Sequence, residues 1–128
     1  MRVDELIERN DAAPDGDEDL FEMANLDKGD TGVDGFIKVR TMAASHGPSV
    51  KYYVKLGDGQ PNFSVSIEAN PTVKAAKGMS LIEVRKHAPA VIEWVKLNHV
   101  ALLKFWFEGN NWTRKEVNRF FEGLPKVS

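Results

Sequence analysis

The sequence predicts an α+β protein: an antiparallel three-stranded β-meander packed on one face by helices, behind an acidic, flexible N-terminal leader. Three observations carry this reading. Three runs between residues 37 and 67 alternate apolar and polar side chains with period two. Two helix-start signatures follow, at Ser80–Glu83 and Thr113–Glu116. The charge is also divided along the chain. Residues 1–35 hold 12 acids and 3 bases, a net −9, whereas residues 36–128 hold 7 acids and 14 bases, a net +7. Such asymmetry concerns what a surface binds or is kept from binding. The expected division is a leader over 1–34, partly disordered, and one α+β domain over 35–128.

In the leader, Val3, Leu6 and Ile7 fit two helical turns, too short to persist alone. Ala12 to Asp19 is rich in acids and turn formers. Leu20, Phe21 and Ala24 predict a second short helix, and Asp27–Gly35, with three Gly and three Asp in its interior and ends, a loop. This composition predicts that removing residues 1–26 leaves the domain folded.

The strands come next. Ile37, Val39 and Thr41 alternate with Lys38, Arg40 and Met42; Val50, Tyr52, Val54 and Leu56 with Lys51, Tyr53 and Lys55; Phe63, Val65 and Ile67 with Ser64, Ser66 and Glu68. Gly57-Asp58-Gly59 supplies a hairpin turn between the second and third runs, and Asn70-Pro71 ends the meander. Ser80 begins a helix, with Met79 stapled on Val84. Pro89 fits the first turn of a new helix, so a second one is expected from about Ala90 to Phe107, stopping at Gly109-Asn110. Its apolar set is Val91, Trp94, Val95, Leu102, Leu103, Trp106 and Phe107. Phe105 lies off that stripe and is expected to be exposed to a partner, and Trp106 to be more buried than Trp94. The last helix brings Val117, Phe120 and Phe121, with Trp112 and Val117 as its staple.

Composition excludes several chemistries. With no cysteine, disulfides, thiolate metal sites and thiol nucleophiles are absent. Met1-Arg2-Val3-Asp4-Glu5 has no secretory apolar core, and Glu93, Lys96 and Lys104 interrupt the longest apolar stretches, so a soluble cytoplasmic protein with no membrane association is expected. Two calcium-loop registers fail: from Asp30, the third position is Gly32 and the twelfth Thr41; from Asp15, Leu20 occupies the glycine position. His87 and His99 have no ligand at i+4, where Val91 and Leu103 stand, and read as surface or helix-end residues. No metal or cofactor is expected.

Two features remain. His46 sits in a turn beside Gly47 and Pro48, and is the one weak candidate for a general acid or base. The sheet face opposite the helices is expected to carry Lys38, Arg40, Lys51, Tyr53, Lys55, Ser64 and Ser66. Cations displace counterions from phosphates, hydroxyls donate to phosphate oxygens, and a ring can stack on a base.

The segment Val91–Trp106, with Glu93, Trp94, Leu97, Leu102, Leu103 and Trp106, resembles a family of small bacterial proteins known as domain of unknown function four-one-six-zero. The likeness extends over about residues 36–108, without the leader. His46 and Pro48 match part of that family's histidine-rich hairpin; Ser49 and Lys51 stand where it has further histidines. The resemblance implies a bacterial protein with a protein or RNA partner, of the kind found in toxin–antitoxin pairs, and no established reaction. The leading expectation is therefore a binding module whose basic sheet face engages an acidic protein or RNA, with its own acidic leader as intramolecular competitor. The alternatives are a small ribonuclease-like toxin using His46 with Lys51, Arg40 or Tyr53, and a housekeeping protein-interaction domain with no nucleic-acid role. Oligomeric state is not legible in these patterns.

Overall fold

The structure, a computed structural model, describes residues 23–41 and 47–128. Its elements run β1 (Met23–Leu26), α1 (Lys28–Thr31), β2 (Phe36–Arg40), β3 (Ser49–Tyr53), β4 (Asn62–Ser66), β5 (Val73–Lys77), α2 (Leu81–Glu108), a 3-10 turn (Gly109–Asn111) and α3 (Arg114–Glu122). The α+β class is as expected, but the meander has five strands, not three, all antiparallel and in sequence order β1-β2-β3-β4-β5.

Register explains the core. Ala24, Val39, Val50 and Val65 stand opposite one another across four strands, and Leu26, Ile37, Tyr52 and Phe63 form the adjacent row. All eight are buried, and α2 covers them with Val84, Ala88, Val91, Trp94, Val95 and Leu102. Each large apolar side chain so buried contributes roughly 1.5–3 kcal/mol.

Both added strands were hidden by weak local patterns. In β1 only Ala24 and Leu26 face the core, and four residues are too few for periodicity to register. The helix expected around Leu20, Phe21 and Ala24 therefore gives way, at Ala24, to a strand paired with β2; Leu20 and Phe21 lie outside the described residues. β5 is exposed on both faces, so no alternation marks it.

Residues 23–34, expected in the leader, are part of the packed structure. The predicted loop holds a capped turn: Asp27 accepts from the Asp30 N–H, and Asp30 accepts in return from the Asp27 N–H. Thr31 and Val33 are buried behind it. Gly32 ends the turn at φ 85°, and a Cβ there would collide with the Val127 carbonyl. The Val127 N–H donates to the Thr31 carbonyl, so the C-terminal residues clasp this corner. Truncation that spares the sheet must accordingly stop at residue 22. The rest of the leader, residues 1–22, lies outside the described residues.

The two helices expected on either side of Pro89 are one continuous helix, α2. Pro89 removes one backbone donor, but it sits on the exposed side of the helix, as does Arg85, whose carbonyl loses that donor. Ala88 and Val91, on the inner side, pack without interruption. The stop at Gly109 is as expected, and there a Cβ would overlap the Phe105 ring.

That ring corrects another expectation. Phe105 is fully buried, the hub of a cluster with Trp112, Phe120 and Phe121 at centroid distances of 5.9, 6.3 and 4.9 Å. Phe107 is the exposed one. α3, docking from the other side, supplies the partners that Phe105 needed. Both tryptophans of α2 are buried, and the order is the reverse of that expected: Trp94 is 0% exposed and Trp106 4%. Trp94 belongs to the core cluster that α2 forms with the sheet.

Candidate anion-binding face

The outer face of the sheet is built by the same register, offset by one residue. Asn25, Lys38, Lys51 and Ser64 form one row across β1 to β4, and Phe36, Tyr53, Asn62 and Lys77 form the next across β2 to β5. Lys38 and Lys51 are directly opposed across β2 and β3. Partial burial pushes the Lys51 ammonium below its usual pKa, and the charges of Arg40 and Lys77 push it further. The charges of Arg40 and Lys77 are thus each felt at Lys51. The Lys38 ammonium lies 5.2 Å from the centroid of the Tyr53 ring. Burial raises the Tyr53 phenol above its usual pKa, with Arg40 opposing the rise.

Six of the seven residues expected on this face are on it by register, Lys38, Arg40, Lys51, Tyr53, Ser64 and Ser66, though Tyr53 and Ser66 are buried. Tyr53 is only 9% exposed, so its ring packs beneath the lysines and is not offered for stacking. Ser66 points the right way but is buried, its hydroxyl donating to Glu68 and accepting from the Thr72 N–H. Lys55 is not on the face. β3 ends at Tyr53, leaving Val54, expected in the core, exposed. Lys55 lines a separate cavity of about 430 Å³ with Gln60, Pro61, Met79 and Glu83. His46 lies outside the described residues. Lys77 was missed, because β5 was not recognised; the only available signal was a lysine-bearing segment between two turn formers, Pro71 and Gly78.

A second polar cluster lies behind the sheet. The Tyr52 hydroxyl donates to the Asp34 carbonyl at 2.7 Å, and His87 Nδ1 lies 3.1 Å from the Tyr52 phenol oxygen. With the phenol proton committed to a carbonyl, Nδ1 is the donor. His87 Nε2 faces Glu83 Oε2 at 3.4 Å, and the imidazole stacks on Tyr52. Burial, with Asp34 and Glu83 nearby, raises the Tyr52 phenol above its usual pKa. His87 is therefore not the surface residue expected. These contacts fasten the 34–35 corner to α2, and Gly35 admits the phenol where a Cβ would collide with it. The cluster acts as a strap.

Among the described residues, no group of three His, Asp or Glu side chains is placed to hold a metal ion, and no helix is long and apolar enough to cross a membrane. The molecule is thus an open antiparallel sheet with helices on one face and a cation-bearing surface on the other. Comparison with protein-family models, with curated proteins and with solved structures found no match.

Proposed function

We propose that the protein is a binding module whose outer sheet face contacts a polyanion through charge, either an acidic protein segment or an RNA backbone. The observation that carries this reading is Lys51, whose half-buried ammonium is disfavoured by burial and by the charges of Arg40 and Lys77. Like charges crowded on a rigid sheet are relieved by an anion that bridges them. The covered ring of Tyr53 argues for contact with phosphates or carboxylates and against base stacking, so recognition is of charge rather than sequence. A ribonuclease-like role for His46 has no such support.

The acidic leader is the face's intramolecular competitor in this proposal. Residues 1–22 carry nine acids and two bases, so their removal changes the charge by +7. Tethering presents those acids to the face at high effective concentration. The test compares the full chain with one beginning at Met23, titrated into a labelled single-stranded RNA and into a labelled oligoglutamate, at about 50 and 200 mM salt. The shortened protein binds one of these probes more tightly and with the steeper salt dependence. Negligible binding of both probes by both proteins overturns the proposal and leaves an interaction domain without an anionic ligand.

A further inference from the structure

Helix α2 turns one side to the sheet and the other to solvent, and the solvent side is not uniformly polar. Leu97, Val100 and Phe107 are 51%, 71% and 55% exposed. With Ala90, Glu93 and Lys104, also exposed, they recur at spacings of 3, 4, 3, 4 and 3 residues. At 100° per residue the six fall within an arc of about 100°, so they form one straight seam. Spacings alternating between three and four are those of a helix that packs lengthwise against another.

The seam is also self-complementary. Leu97 and Val100, Glu93 and Lys104, and Ala90 and Phe107 are each placed symmetrically about a point between Asn98 and His99. Reversing the helix about that point lays Glu93 on Lys104, a small side chain on a large one, and Leu97 on Val100. Among the described residues, neither Glu93 nor Lys104 has an ion-pair partner within the chain. A two-fold axis requires this reciprocity, in which residue i meets j and j meets i; an unrelated partner has no need of it.

We propose that the exposed seam of α2 pairs antiparallel with the same seam of a second copy of this chain, about a two-fold axis passing between Asn98 and His99. A single helix pair is at the small end of specific interfaces, so the dimer forms and dissociates with concentration. Its outer layers are the two sheets, whose basic faces point away from each other, making the assembly two-headed.

The test is sedimentation of the full chain across a concentration series. The unchanged protein shifts from monomer to dimer. Glu93→Lys and Lys104→Glu, each of which sets two like-charge pairs in the interface, raise the dissociation constant at least about tenfold, and the double exchange restores it. Because the chain has no cysteine, single cysteines report the register cleanly. Leu97→Cys brings the two thiols to about 5 Å apart along the helix axes and cross-links on oxidation, whereas Phe107→Cys leaves them about 26 Å apart and does not. A protein monomeric at every concentration overturns the proposal. So does a dimer indifferent to the charge exchanges, or one in which Phe107→Cys cross-links as readily as Leu97→Cys.

Discussion

Replacing Lys51 by Thr separates what this side chain does for the fold from what it does for a ligand. In the folded protein, burial and the neighbouring Arg40 and Lys77 lower its pKa, so the folded state disfavours the ammonium relative to the unfolded chain. Between that lowered value and the ordinary one of 10.5 the unfolded state binds more protons, and stability rises with pH across this window. At neutral pH the charge is a net cost. Crowding by the like charges of Arg40 and Lys77 accounts for about 0.2–1 kcal/mol, and Thr, a good strand former, brings no new penalty. Lys51→Thr should therefore raise stability by roughly 0.5–1 kcal/mol at pH 7, about 2–4 °C in Tm. The same variant should bind the RNA or oligoglutamate probe more weakly, with a shallower salt slope. Chemical denaturation and anisotropy titration on one preparation measure both. A destabilised variant, or one with binding unchanged, refutes the reasoning that Lys51 is kept at a cost for an anion.

Three further outcomes follow from the packing. Phe105→Ala should cost about 3–5 kcal/mol in denaturant unfolding, whereas Phe107→Ala should change dilute-monomer stability by less than about 0.5 kcal/mol; the reverse order would reinstate the sequence reading. Gly32→Ala should destabilise by more than about 1 kcal/mol, since both its positive φ and the Val127 carbonyl resist a Cβ, and an unchanged melting curve would show that the clasp yields freely. Tyr52→Phe should lose about 1–2 kcal/mol through the unpaired Asp34 carbonyl and His87, and the double variant with His87→Ala should lose less than the sum of the two single losses, whereas strict additivity would show that they do not act as a unit.

The central strands, the Thr113–Glu116 capping box, the Ser80 N-cap and the end of α2 were legible because each rests on short-range rules: alternation, a hydroxyl three residues before a carboxylate, a glycine at a close approach. The reciprocal half of the box expected at Ser80 is absent, because the Glu83 carboxylate faces His87. The failures share a different cause. β1 and β5 are strands because a neighbour offers an edge, not because their own residues alternate. Pro89 stops nothing because its position on the solvent side of α2 is decided by packing several residues away. Phe105 and Phe107 exchanged roles for a similar reason: two residues apart, they lie about 200° apart on the helix, and only the arrival of α3 decides which is covered. On the basic face, alternation placed Lys38, Arg40, Lys51, Tyr53, Ser64 and Ser66 correctly. It failed for Lys55, where β3 had already ended, and for Lys77, whose strand was unseen.

The clasp between Val127 and Thr31 gives the molecule a particular order of assembly. Every strand pairs with its neighbour in sequence, so the sheet grows by a series of local hairpins, each closing a short loop at small entropic cost. The hydrogen bond from Val127 to Thr31 joins residues 96 positions apart, and the Asn98 side-chain amide holds the Pro125 carbonyl beside it. These contacts have a binding surface only after the sheet and α2 exist. They should therefore form late and open early, and the amide of Val127 should exchange with solvent before those of β3 and β4.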